Sequence, residues 1–284
     1  MSAPAESIVL PLAGDGEGRT GGGARVALAV LVVIAVAAVV APILVPAASE
    51  TMDLAARRAP PSFAHLFGTD ELGRDVLARV LVGARVSLAI GLFSAMLSVA
   101  LGSAVGAVGG FVGGWLDTVL MRVTDAMLAI PRLPFLMIVT AILQPSIPLL
   151  IVLVGIAGWM ETARVVRADV LSLAQRGFVE AAHATGVSRV RVLVAHILPN
   201  VLGTIAVSAT LAVGRGILLE SALSFFGVGV QPPAASWGNM LYQAQTTLTS
   251  EPWLAIFPGV AIFATVFCVN VLGEALARAG GAER

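Results

Sequence analysis

Between Phe178 and Asn200 the sequence reads FVEAAHATGVSRVRVLVAHILPN, one Glu, two His and two Arg inside a chain that is 58% hydrophobic. The chemistry these residues offer is contact. Glu180 can make charge-assisted hydrogen bonds stronger than neutral ones, and Ala181, Ala182 and Gly186 allow another surface to come close. Ser188 is the serine nearest the loop histidines, His183 and His196, but neither histidine has the neighbours of a metal site. Two more charges interrupt an apolar run, Arg215 and Glu220. In hydrocarbon such charges are expensive and face a cavity or a partner. Five residues apart, they fall on different faces of an ideal helix and need not pair. Arg215 has two readings, lining a path or closing an interhelical salt bridge. Glu220 reads as structural and able to snorkel. Asp117, Arg122 and Asp125 flank another apolar run, with Arg122 and Asp125 at a helical pairing distance.

The elements that must hold these residues follow from composition. The chain has 284 residues, only 12% of them charged, and a mean hydropathy of +0.95, which belongs in a bilayer. All 17 basic residues are Arg, so a phosphate-binding loop that ends in Lys is excluded. A net charge of zero without a basic block gives no footprint of a nucleic-acid binder. Cys268 is the lone cysteine, and with three scattered His no metal cluster is expected. Residues 1–24, rich in Gly, Ala and acids, read as a disordered cytoplasmic tail.

About 20 apolar residues span a bilayer as a helix. Charge-free or nearly charge-free runs at 26–49, 86–116, 201–222 and 254–273 supply four spans, the first set at 25–46 and the last five contained in 85–276. The run 133–160 is too long for one span, and Pro145 and Pro148 break it, giving two spans joined by a tight turn. One reaches back toward Asp117 and the other forward toward Asp169. The expected fold is therefore all-α, a polytopic membrane protein of six transmembrane helices. With the N-terminus inside, ten Arg are cytoplasmic and Arg57, Arg58, Arg74 and Arg79 lie in the first outer loop at 47–84. The insert at 177–200 and the tail at 277–284 are then cytoplasmic too. Gly102, Gly106, Gly110 and Gly114 form a close-packing stripe on the second span, although the paired glycines at 109–110 and 113–114 can instead make its inner turn.

Within the insert, Gly177 is expected to stop one helix and Gly186 to form an elbow. Ser188 is set as an N-cap, Val190, Leu193, Val194 and Ile197 share one face, and Pro199 ends the second short helix. Such short helices need a surface to pack on, either their own helix ends or a partner. In the outer loop Thr69 reads as the N-cap of an amphipathic helix, with Asp70 and Glu71 in its first turn and Leu72, Val76, Val80 and Gly83 along one face.

The spacing "EAA", three residues, Gly, nine residues, "HILP" resembles the EAA loop of ATP-binding-cassette importer permeases of the dipeptide and oligopeptide type. The stretches HLFGTDELGRDVLARVLVGARVSLAIGL, GGFVGGWLDTVLMRVTDAMLAIP, ALSFFGVGVQPPAASWGNML and PWLAIFPGVAIF agree in order, and the chain from about residue 25 onward resembles the C-type subunit of that family. The resemblance implies a permease in the cell inner membrane, not itself an enzyme. It would pair with a homologous permease and be driven by two ATP-binding subunits or one fused ATPase that hold the ATP and Mg. An external solute-binding protein would deliver the solute, peptides by default, with nickel, glutathione or haem carried by relatives. It further implies coupling through Glu180, Ala181, Ala182, Gly186, His196, Ile197, Leu198 and Pro199, and an external surface at Thr69, Asp70, Gly73, Arg74 and Asp75. Arg215 and Glu220 remain the candidates for the pathway. A secondary transporter is the alternative from another class, although no inverted repeat is evident.

Overall fold

The computed structural model describes residues 17–44 and 51–282, and among them every regular element is helical. Eleven helices follow in chain order: α1 Glu17–Leu44, α2 Val76–Val112, α3 Gly114–Ala129, α4 Arg132–Leu143, α5 Ile147–Ile156, α6 Trp159–Ala174, α7 Gly177–Ala184, α8 Arg189–Val192, α9 Leu198–Phe225, α10 Trp237–Ala244 and α11 Trp253–Ala282. Five stretches are long and apolar enough to cross a membrane, and a sixth is the pair α3 and α4, bent by 81° at a break. Residues 17–24 already belong to α1, and α11 runs on past residue 276, so the tails expected there are helical where described. Residues 1–16 of the expected N-terminal tail lie outside the described residues.

At 37 residues, α2 is the axis of the molecule. At 1.5 Å per residue it is about 55 Å long, well beyond the ~30 Å of hydrocarbon. Its first turns, Val76 and Val80, pack with Trp237, Met240, Leu254 and Ile262. Its last turns, near Ala107, pack with Val166, Val170 and Val192. The loop at 51–75 and the insert at 177–200 thus occupy opposite ends of one bundle. Ile147 and Leu150 pack with Ile90 and Val230 nearer the loop end. The bent pair therefore carries the chain from the insert end of α2 back to the loop end.

The glycine stripe is where α2 meets α6. A Cβ on Gly102 would sit 2.5 Å from the Trp159 carbonyl oxygen and one on Gly110 2.8 Å from that of Arg167, while one on Gly106 would run into the Ala163 oxygen. Gly113 and Gly114 take positive φ, 67° and 63°, and form the turn into α3. Of the two expectations, Gly102, Gly106 and Gly110 serve packing inside this chain and Gly114 serves the turn.

Several expected helix boundaries differ. The outer loop has no separate amphipathic helix from Thr69. α2 starts at Val76, and its N-cap is Asp75, whose Oδ1 accepts the Ala78 N–H at 2.9 Å. The single helix expected across 117–143 breaks at Ile130 and Pro131, because the residue before a proline avoids helical geometry and Ile130 is extended. The turn expected near the prolines at 145 and 148 is present: Gln144 has φ 56° and Ser146 caps α5 by accepting the Leu149 N–H. Finally, Pro199 does not end a helix. Leu193–Ile197 is one turn of π-helix, with Leu198 N–H bonded to the Leu193 oxygen, and Pro199 sits in the first turn of α9. The wider turn accommodates the ring that would clash in an α-helix.

Candidate functional site

The insert begins where α6 stops. Gly177 opens α7 and does not close α6, and Glu180 lies in the first turn of α7, where the helix dipole favours a carboxylate. At the other end Val187 N–H reaches the Ala182 carbonyl at 3.1 Å around Gly186, whose φ is +80°. This is a Schellman closure, and it demands the left-handed conformation that glycine adopts without strain. Ser188 follows in extended conformation as the N-cap of α8, with no side-chain cap bond.

Val179, Val192 and Ile197 are buried against Val166, Val170, Leu173 and Val201, so the insert is fastened to the ends of α6 and α9. Glu180, Ala181, Gly186, His196 and Pro199 are exposed, Ala182 and Leu198 are half-buried, and Ile197 is wholly buried. The face expected to join Val190, Leu193, Val194 and Ile197 is split. Val190 is 72% exposed and Val194 is also exposed, because the π turn rotates the residues after it relative to those before. Phe178, Val190 and Val194 add apolar surface to the exposed side.

Behind the insert, ion pairs fix α3 to α6. Arg167 donates to both oxygens of Asp117 at 2.5 and 2.6 Å, and Arg164 donates to Asp125 at 2.5 Å. Asp125 is thus matched across helices and not by Arg122. Thr204 donates to Asp169, joining α9 to α6.

At mid-bundle a second group forms. Arg132 of α4 donates to Glu161 Oε1 at 2.7 Å, and Arg215 of α9 pairs with Glu161 Oε2. Arg215 is therefore in an interhelical salt bridge, and its side chain is still 39% exposed. Nothing in the local spacing announced Glu161 or Arg132 as its neighbours.

Glu220 behaves otherwise. It is 0% exposed and does not snorkel. Ser87 donates to Oε2 at 3.0 Å and Ser224 to Oε1 at 2.7 Å, with Ser221 at 3.5 Å. The same hydroxyls accept backbone N–H groups, Ser87 from Trp237 at 3.1 Å and Ser224 from Val230 at 3.0 Å. Trp237 Nε1 donates to the Val80 oxygen at 3.0 Å. Glu220 is therefore the hub that seats α10 and its preceding loop on α2 and α9. The capping box of α10, Ser236 with Asn239, marks the start of this helix in the sequence, a signal that counting apolar spans leaves out.

At the loop end, Thr69 and Arg74 are buried, and Asp70 accepts from Arg74 N at 3.0 Å and Nε at 2.7 Å. Gly73 has φ 75°, and a Cβ there would collide with the Asp53 oxygen. His65 Nδ1 bonds Asp75 Oδ2 at 3.0 Å. These residues build the loop, whereas Met52, Leu54, Phe63 and Leu66 are its exposed apolar side chains.

Known proteins share this chain's sequence over most of its length. It is 42% identical over 251 residues to the oligopeptide transport system permease protein OppC of Escherichia coli (strain K12), covering 88% of this chain and 83% of that protein. The OppC protein of Salmonella typhimurium (strain LT2) is 43% identical over 251 residues, with the same coverage. The glutathione transport system permease protein GsiD of Shigella flexneri serotype 5b is 44% identical over 216 residues, 76% of this chain and 71% of that protein. Residues 98–279, which hold the insert, the mid-bundle ion cluster and Glu220, match the family described as binding-protein-dependent transport system inner membrane component, and the chain belongs to that family.

Proposed function

We propose that this chain is the permease subunit of an ATP-driven, binding-protein-dependent importer of di- or oligopeptides. The observation that carries the reading is the insert: an apolar side fastened to α6 and α9, and an exposed side carrying Glu180, Ala181, Gly186, His196 and Pro199. A loop rigidly tied to two long helices can pass displacement of a bound motor into the bundle. Ala182 and Leu198 border that surface, and Ile197 anchors it from beneath.

In this reading the insert and both termini face the cytoplasm, where most of the Arg residues cluster. Two ATP-binding subunits, or one fused ATPase, hold ATP and Mg there and carry out hydrolysis. A homologous permease completes the pathway, with Arg215 on its wall and Glu220 supporting that wall from within. The loop built by Thr69, Asp70, Gly73, Arg74 and Asp75 presents its surface to an external solute-binding protein. Glutathione is the second cargo reading, favoured by the name of the Shigella relative; nickel and haem are further cargo alternatives.

Purification together with the products of neighbouring genes tests the reading. ATP hydrolysis by the reconstituted complex should rise when peptide-loaded binding protein is added. A chain that captures no ATPase, or a complex whose hydrolysis ignores loaded binding protein, refutes it.

A further inference from the structure

Arg132 and Arg215 converge on one carboxylate, Glu161. Two guanidinium groups against one carboxylate leave a surplus positive charge, and since arginine does not deprotonate in proteins the surplus persists at any working pH. The cluster opens at the surface of this chain, with the side chains of Arg215, Glu161 and Arg132 39%, 35% and 23% exposed. It lies at mid-bundle, beside Ser94 and Ser98 of α2, where hydrocarbon contact would be prohibitive. A cavity of about 20 Å³ adjoins it, lined by Ser94, Ser98, Gly158, Gly216 and the two arginines. Ser98 is buried, and its hydroxyl has no hydrogen-bond partner among the described residues.

We propose that Arg132, Arg215 and Ser98 form a receiving site for the free carboxylate of the solute as it crosses the bundle. The inference rests on the importer reading above. The cavity has room for roughly one water-sized atom group, the size of a carboxylate oxygen. A carboxylate there would meet two charged donors and the unused Ser98 hydroxyl. A fixed acid from a partner permease is the competing occupant. It would neutralise the cluster permanently and would leave the cavity and the Ser98 donor without purpose. Glu161 holds both guanidinium groups in position and tempers their charge, so that binding is weak enough for release.

The test uses the complete complex in proteoliposomes, with binding protein saturated by either of two probes, trialanine or trialanine amide. The unmodified complex should take up the free acid faster. Arg215→Gln and Arg132→Gln should each reduce the ratio of acid to amide uptake by about tenfold, the worth of one charged hydrogen bond. Ser98→Ala, which leaves all three charges intact, should reduce it by about threefold. Equal slowing of both probes in all three variants overturns the site, as does loss of the partner permease from the Arg215→Gln complex. An unmodified complex that takes up neither probe overturns the peptide-importer reading, and the site with it.

Discussion

Replacing Glu220 by Ala removes the acceptor of two well-formed hydroxyl bonds, from Ser87 at 3.0 Å and Ser224 at 2.7 Å, in a site closed to solvent. Each stranded donor costs about 1–3 kcal/mol, so the substitution should destabilise by about 2–6 kcal/mol. Gln keeps the shape and one acceptor oxygen, and its amide can donate to a hydroxyl that turns to accept, so Glu220→Gln should cost about 1 kcal/mol. At roughly 2–4 °C per kcal/mol for a chain this long, melting in nanodiscs should fall by about 4–24 °C for Ala and about 2–4 °C for Gln. Because Ser87 also accepts the Trp237 N–H, Ser87→Ala should be non-additive with Glu220→Ala, with a coupling of about 1 kcal/mol or more. Equal melting temperatures for Glu220→Ala and the unmodified chain, or strict additivity with Ser87→Ala, would refute the hub.

Three further outcomes are expected. Gly186→Pro cannot adopt φ +80°, and Glu180→Lys reverses an exposed charge at a cost of about 1 kcal/mol or less, so both should keep normal membrane yield while losing ATPase pull-down or uptake; normal pull-down and uptake in both would refute coupling at the insert. Gly106→Val should force α2 from α6 and cost about 3 kcal/mol or more, whereas Gly203→Ala, with open space around it, should be neutral or stabilising by up to ~1 kcal/mol, both read by thermal melting. In a Cys268→Ala background, Ser146→Cys should react with an impermeant thiol reagent from outside and Ser188→Cys should not, since both positions are exposed and lie toward opposite ends of the bundle.

What could be read in the sequence was local. Gly186 at an elbow, glycines every four residues, and prolines at 145 and 148 each state a backbone requirement that any fold must meet, and the structure has the corresponding closure, contact and turn. Pro131 states an equally local requirement, since the residue before it, Ile130, is extended and breaks the third span. Thr69 and Asp75 are both good caps in sequence. The choice between them depends on Asp70 gathering Leu72, Arg74 and the Arg79 side chain into a loop, which only tertiary contact decides. Pro199 reads as a terminator because the π turn that absorbs it has no spacing signature. Glu161 lies 54 residues from Arg215 and Ser87 lies 133 from Glu220, beyond any periodicity argument, whereas Ser224, four residues after Glu220, is within one.

Two acids of the bundle, Glu220 and Glu161, separate scaffold from path. Glu220 carries no opposing charge, and its two shortest hydrogen bonds lead to hydroxyls, Ser87 and Ser224, that in turn hold backbone, so its worth lies in geometry. Glu161 holds no backbone; its two partners are guanidinium groups that remain partly exposed. Removing Arg215 therefore does not strand Glu161, because Arg132 stays bonded to it at 2.7 Å. The several kcal/mol lost when a buried charge is left alone does not apply there. Arg215→Met should thus leave the melting temperature near that of the unmodified complex while lowering uptake. A complex that melts far lower yet transports normally per folded molecule would assign Arg215 to the scaffold along with Glu220.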